Sequence, residues 1–264
     1  MFANLANLFR YRGLIQSLVA RELKARYRGS FLGFFWSFVN PLLLLLIYSF
    51  VFTTVMPNNV QGVQPYALFM FCGILPWNWF SSSLVEASGS LSSGGNLIKK
   101  VMFPAEILPI VSVLANMVHF FLGLPILVMF LIAYRRLPDP SHLVWFPVAV
   151  LVQLVFTAAI ALIVSELAVH FRDIRDLLSN VLLLWFFATP IIYPWRQPNL
   201  QHYKVYFDLN PFTHLAISYQ EILFFPGTMG HWRWLLALGG ASVVLFLAAY
   251  WFFDRLRDSF AEAV

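Results

Sequence analysis

Apolar residues run along this chain in long blocks, and polar residues collect between them. Six blocks approximately meet the roughly 20 residues that a helix needs to cross a bilayer. They cover residues 31–56, 66–85, 106–133, 143–166, 177–194 and 232–253. Ahead of them, Phe2, Leu5, Leu8, Phe9, Leu14, Ile15, Leu18 and Val19 recur at three- and four-residue spacing, with Arg10, Arg12 and Arg21 mostly elsewhere. This spacing predicts an amphipathic helix over 2–19 that lies in the membrane surface. The connection 195–231 is too long and too aromatic for a plain loop. It predicts short re-entrant helices with a break at Asn210-Pro211, because the residue before a proline avoids helical geometry. Such backbone needs protein or water around it. The pattern predicts an all-α integral membrane protein with six transmembrane helices, an N-terminal amphipathic interfacial helix, and short periplasmic re-entrant helices between spans five and six. All of it belongs to one transmembrane domain, 1–264, with spans one to five over 31–194, the sixth over 232–253 and a tail over 254–264.

Composition supports this class. The chain of 264 residues is 60% hydrophobic and 11% charged, with mean hydropathy +0.75, where soluble domains carry roughly 25% charged residues. Lipid is therefore the solvent. Arg21, Glu22, Lys24, Arg26, Tyr27 and Arg28 abut the first block, which keeps this flank on the cytoplasmic side. With alternating connections, twelve of the 17 Lys and Arg residues fall inside; Arg135, Arg136, Arg196, Lys204 and Arg233 fall outside. Both termini are thus expected in the cytoplasm. The net charge of +5 suits anionic lipid heads rather than nucleic acid, since no separate basic domain exists. Cys72 is the single cysteine, so neither an internal disulfide nor a cysteine metal site can form. Charges throughout residues 1–30 and a first apolar run of about 25 residues argue against a cleavable signal.

No catalytic constellation stands out. The chain has no G-x-x-x-x-G-K-[ST], no H-E-x-x-H and no paired-carboxylate motif, so no catalytic residue, metal site or resident cofactor is expected. Gly94-Gly95 before Lys99-Lys100 has the wrong spacing for a phosphate loop. His119 falls mid-span, where an ionisable group is a functional candidate; the plainer role is a neutral imidazole bonded to a neighbouring helix. Glu86, Glu106 and Glu166 are expected to pair with Lys99, Lys100 or Arg172. Interfacial belts account for Trp36, Trp145, Trp195, Trp232, Trp234 and Trp251 but poorly for Trp77 and Trp185. Trp77 lies about 16 Å along a helix from Tyr66 at ~1.5 Å per residue. Packing between helices and lining a path for sugar rings are both open for these two. Pro41, Pro76, Pro109, Pro125 and Pro190 fall within blocks and can kink them.

Five stretches together resemble the permease subunit of type-two ABC transporters, in the branch that exports O-antigen, capsule and teichoic acid. They are Lys24-Ala-Arg-Tyr-Arg-Gly-Ser-Phe-Leu-Gly through Trp36 and Asn40-Pro41; Asn96-Leu-Ile-Lys-Lys-Val-Met-Phe-Pro104; Phe171-Arg-Asp-Ile-Arg-Asp-Leu177; Thr189-Pro-Ile-Ile-Tyr-Pro194; and Leu209-Asn-Pro-Phe-Thr213. The resemblance implies an ATPase-coupling helix carrying Asn96, Leu97, Ile98, Lys99, Lys100 and Phe103. It implies a cytoplasmic gate helix within 1–30 and a periplasmic gate over 195–231 with Asn210, Pro211 and Phe212. Arg26, Tyr27 and Arg28 would meet a lipid pyrophosphate, and Trp36, Trp77, Trp79, Trp185 and Tyr193 would line a glycan channel. The implied partners are a second copy of the chain, two copies of a cytoplasmic ATPase that binds ATP and Mg, a lipid-linked polysaccharide, and lipids of a bacterial inner membrane. Residues 88–95 are richer in Ser and Gly than this pattern, so a more flexible start to the coupling element is expected. An exporter of a drug, lipid or small glycolipid has the same architecture. A membrane sugar transferase would want a carboxylate or His cluster at one face, and a secondary transporter would want internal repeats.

Overall fold

The computed structural model describes residues 10–55, 63–95, 104–171, 173–195, 197–227 and 229–263. The described residues contain helices and no strand. In chain order the helices are α1 (Arg12–Tyr27), α2 (Trp36–Phe50), α3 (Tyr66–Ser93), α4 (Ile107–Ala133), α5 (Pro140–Leu143), α6 (Trp145–His170), α7 (Ile174–Phe187), α8 (Lys204–Leu209), α9 (Pro211–Leu223) and α10 (Trp232–Ala263). A 3-10 turn (Gly33–Phe35) leads into α2, and a π-turn (Val51–Val55) follows it. Five segments are long and apolar enough to cross a membrane: Gly33–Val55, Tyr66–Ser93, Ile107–Ala133, Pro140–His170 and Trp232–Arg255.

Helix α3 is the axis of the bundle. It packs on α4, α6, α7, α9 and α2, and it is the most buried of the five spans. Close approach comes from small residues: a Cβ on Gly123 of α4 would stand 2.7 Å from Leu75 Cδ2, so the absence of a side chain there lets Leu75 seat between the helices. The α6–α10 pair closes the other side, with Leu91, Leu162, Ala249, Tyr250 and Phe253 in one cluster. Helix α1 lies against the start of α4 through Leu18, Ile107 and Val111.

Three expectations need correction. The amphipathic segment expected over 2–19 is helical from Arg12 to Tyr27; residues 1–9 lie outside the described residues. The second span does not stop at 85 but continues to Ser93. Its serines explain this: Ser83, Ser88, Ser90 and Ser93 each donate to a carbonyl three or four residues back, at 2.6–2.9 Å, so their hydroxyls are satisfied without leaving the helix. The stretch expected to be a flexible start is thus helical to Ser93. The fifth block, expected over 177–194, is a helix of 14 residues, Ile174–Phe187, about 21 Å long at ~1.5 Å per residue. It ends in turns at Ala188 and Thr189, so Pro190 lies beyond it.

The described residues of the connection 195–231 do fold as short helices. From Phe212 to Leu223 every residue of α9 is buried, against α3, α6, α5, α8 and α10. A helix this enclosed dips into the bundle and meets the end of α7 where the span falls short.

Candidate functional site

The turn after α1 folds back on itself. Gly29 and Gly33 both have positive φ, +80° and +49°, a backbone region that other residues enter at a cost of about 1 kcal/mol or more. This reversal brings Tyr27 to Ser37 at the head of α2, where the two hydroxyls are hydrogen-bonded. The Tyr27 hydroxyl also lies 3.1 Å from His119 Nδ1 of α4. One residue earlier, the Arg26 guanidinium pairs with the Glu86 carboxylate of α3 and donates to Asn116 Oδ1 of α4 at 3.0 Å. Asn116 Nδ2 closes the ring by donating to Glu86 at 2.6 Å and to the Ser112 carbonyl at 2.9 Å. Two adjacent residues at the end of α1 thereby fasten it to α2, α3 and α4.

This clasp borders a cavity of ≈ 600 Å³ lined by Arg26, Tyr27, Trp36, Ser37, Asn40, Asn78, Trp79, Ser82, Glu86, Asn116 and His119, among others. A second cavity of ≈ 640 Å³ lies below it, between Arg21, Glu22, Arg175, Asp176 and the serine run of α3. A third of ≈ 400 Å³ holds Trp77, Ser81, Ser82, Val85, Leu182, Leu183 and Phe186. Glu86 lines all three.

The three spaces share a wall because of one pattern in α3. Beyond Trp77, its surface positions are Asn78, Ser81, Ser82, Val85, Glu86, Gly89, Ser90, Ser92 and Ser93, almost all three or four residues apart. Only Val85 among them is a large apolar residue. The stripe extends about 22 Å at ~1.5 Å per residue. Hydroxyls and amides in this position are costly against lipid tails. The stripe is suited to water and to hydroxyl-bearing cargo.

The expected site residues separate into groups. Arg26, Tyr27, Trp36 and Trp79 come together around the first cavity, with Arg28 exposed beyond the bend. The Arg26 charge is paired with Glu86. Glu86, expected to pair with Lys99, Lys100 or Arg172, which lie outside the described residues, pairs with Arg26, because α1 lies against α4 and its end brings Arg26 to Glu86. Trp79 is buried, stacks on Phe120 at 5.2 Å and donates its indole N–H to the Val113 carbonyl at 3.1 Å. Trp77 is only 5% exposed and meets Phe80, Trp185, Phe186 and Phe212 ring to ring at 4.8–6.3 Å. It touches the third cavity from within an aromatic core.

Trp185 donates to Asn210 Oδ1 at 2.8 Å. Asn210 is the hub of the opposite end. It caps α9 by accepting from Phe212 N at 3.1 Å, and it donates to Thr189 Oγ1 and the Ala188 carbonyl at 2.9 and 3.3 Å. Pro211 follows at the first helical position, which needs no N–H donor, and Phe212 is fully buried. Tyr193, half-buried, donates to the Phe187 carbonyl at 2.9 Å. The coupling residues Asn96, Leu97, Ile98, Lys99, Lys100 and Phe103 lie outside the described residues.

Sequence reasoning missed Ser37, Asn40, Asn78, Ser82 and Asn116. Their signal was present as polar residues at helical spacing inside apolar blocks. No group of three or more His, Cys, Asp or Glu side chains able to hold a metal occurs among the described residues.

Comparison with known proteins fits this architecture. The family model described as ABC-2 type transporter matches residues 13–224. The chain is 45% identical over 258 residues to an O-antigen export system permease protein of Myxococcus xanthus, covering 97% of both chains. It is 32% identical to an O-antigen export system permease protein of Klebsiella pneumoniae, over 98% of this chain and 96% of that one. A capsule polysaccharide export inner-membrane protein of Neisseria meningitidis is 24% identical over 67% of this chain and 66% of its own length. A multi-pass membrane chain whose family match runs from the head of α1 to the end of α9, it belongs to the ABC-2 type transporter family.

Proposed function

We propose that this chain is the permease subunit of an ATP-driven exporter that carries a lipid-linked polysaccharide, of the O-antigen, capsule or teichoic-acid type, across a bacterial inner membrane. The observation that carries this reading is the polar stripe of α3. It runs along α3, a segment long and apolar enough to span a membrane, and contributes lining to three neighbouring cavities, all of which share Glu86. Hydroxyl and amide groups exchange hydrogen bonds readily with sugar hydroxyls, and none of them on the stripe forms a tight pocket. A conduit must release what it takes up.

Asn78, Ser82, Val85, Ser92 and Ser93 of the stripe are exposed, which suits coverage by a second copy of the chain. Both termini lie in the cytoplasm in this reading, and 195–231 faces the periplasm. ATP and Mg belong to a separate ATPase subunit, present in two copies, that docks on residues 96–103. In sequence that segment follows the end of α3 at Ser93, where the stripe also ends. Since Glu86 holds Arg26, the exposed Arg28 is the better placed cation for a lipid pyrophosphate.

Depletion of the chain in its native cell, followed by mass analysis of inner-membrane lipid-linked glycans, tests this. Accumulation of one polymer on the cytoplasmic face is expected and identifies the substrate. Normal surface glycans with no accumulation would move the reading to a drug or lipid exporter.

A further inference from the structure

A second cluster of ionisable groups lies at the opposite end of the bundle from the clasp. His214 on α9, His231 just before α10, Glu221 on α9 and His142 on α5 are all at least nine-tenths buried. His214 Nε2 lies 3.0 Å from the Asp208 carbonyl, and His214 Nδ1 lies 2.9 Å from His231 Nε2. Trp234 stacks on His214 at 4.6 Å with the rings 5° from parallel.

These contacts fix the protons. A carbonyl only accepts, so His214 carries its hydrogen on Nε2 and leaves Nδ1 as an acceptor. His231 must then donate from Nε2. The pair can take one further proton on the remaining nitrogen of His231 without losing either bond. The Glu221 carboxylate, which accepts the His231 backbone N–H at 2.9 Å, favours that charge. A second added proton would belong on His214 Nδ1, where two N–H groups would point at each other across 2.9 Å.

We propose that the His214–His231 pair is a proton-sensitive brace, tying the head of α9 to the start of α10 while it holds at most one added proton and letting go when a second arrives. The surroundings are specific. Asp208 faces the pair from α8, Glu221 from α9 and His142, bonded to the Glu221 carbonyl at 3.0 Å, from α5. On α10, Arg233 turns to the Trp232 ring instead, and Arg136 lies over Phe224. From α3 and α6, Glu86, Glu166 and His170 stand toward the other end, where Arg26 and Arg175 meet α3. Burial holds His214 below the ordinary histidine value, with Asp208 pulling weakly the other way. A depressed histidine contributes stability above its ordinary value and loses it as pH falls through the lowered one. The brace therefore holds at neutral pH and fails in acid. That it senses the periplasm rests on the orientation given under the proposed function; its chemistry does not.

The test is amide hydrogen exchange on the permease with its ATPase partner in lipid nanodiscs, at about pH 7.5 and about pH 5 after correction for intrinsic rates. Wild type is expected to lose about tenfold protection in 208–214 and 229–235 in acid, the effect of one unit of pKa difference. His214→Gln keeps an acceptor for His231 and a donor for Asp208 but does not titrate, and should lose none. Unchanged wild-type protection, or equal loss in His214→Gln, overturns the proposal. Nitrogen-15 histidine spectra of wild type supply a second reading that needs no variant. The Nε2–H form of His214 at neutral pH is required, and an Nδ1–H form there would overturn it. Neither readout involves transport, so failure of the exporter reading would show separately.

Discussion

The two ends of this molecule are held by opposite chemistry. At one end, α1 is fastened by a full ion pair, Arg26 with Glu86, whose side chains keep 21% and 33% of their surface exposed. At the other, α7, α9 and α10 meet through the Asn210 amide, the His214–His231 pair and an aromatic core around Trp77 and Phe212, with the Glu221 carboxylate accepting a backbone N–H. A charged contact next to water can separate at modest cost, because water resolvates both ions. A half-buried amide with four partners separates less readily, because all four bonds must be given up together. The clasp is the end suited to opening, and the Asn210 hub is the end suited to staying in register while α3 moves.

This contrast can be broken most directly at Trp77. Trp77→Ala removes a ring from the fixed end and should cost about 3–5 kcal/mol, in line with aromatic truncations in packed cores. Export and the amount of folded permease in the membrane should fall together; export lost at normal abundance would assign Trp77 to the conduit instead. Asn210→Ala should cost about 2–3 kcal/mol, since partners on α7 and α9 lose their bonds. Asn210→Asp keeps the two acceptor contacts and should lose roughly half as much in a detergent melting series. At the clasp the expected effects are smaller in stability and larger in coupling. Glu86→Gln should cost about 1–2 kcal/mol while raising ATP hydrolysis by the assembled complex in the absence of substrate. Combined with Arg26→Gln, it should cost less than the two separate losses added; simple additivity would mean that the pair does not act as a unit. Tyr27→Phe removes only the hydroxyl shared with Ser37 and His119, about 1 kcal/mol. It should shift the same basal rate slightly.

Much of the architecture was legible because lipid imposes a coarse rule. Long apolar blocks read as spans, and Asn210-Pro211 read as a break and proved to be the head of α9. The errors came where polar side chains satisfy themselves within a helix. The serines from Ser88 onward read as part of a loop, yet the hydroxyls of Ser88, Ser90 and Ser93 bond back to their own turns, and α3 runs eight residues further than expected. The fifth span failed for the converse reason. Ile191 and Ile192 are apolar enough to extend it, but Pro190 and the Asn210 amide end the helix. The Arg26–Glu86 pair joins residues 60 positions apart, and no local pattern announces it. Asn116, at 90 positions from Arg26, was hidden in the same way.

The first span has a consequence for how the protein answers to its surroundings. Within α2 only Ser37 and Leu45 are buried, while Leu43, Leu46, Ile47 and Phe50 face outward. From Gly33 to Val55 the segment has 23 residues, about 34 Å at ~1.5 Å per residue, more than the ~30 Å of an average hydrocarbon layer. Little protein holds it upright, so its tilt follows bilayer thickness. Trp36 and Asn40 ride on it beside the first cavity. Reconstitution in a series of acyl-chain lengths should therefore tune transport through the width of that opening, with the α3 bundle unchanged.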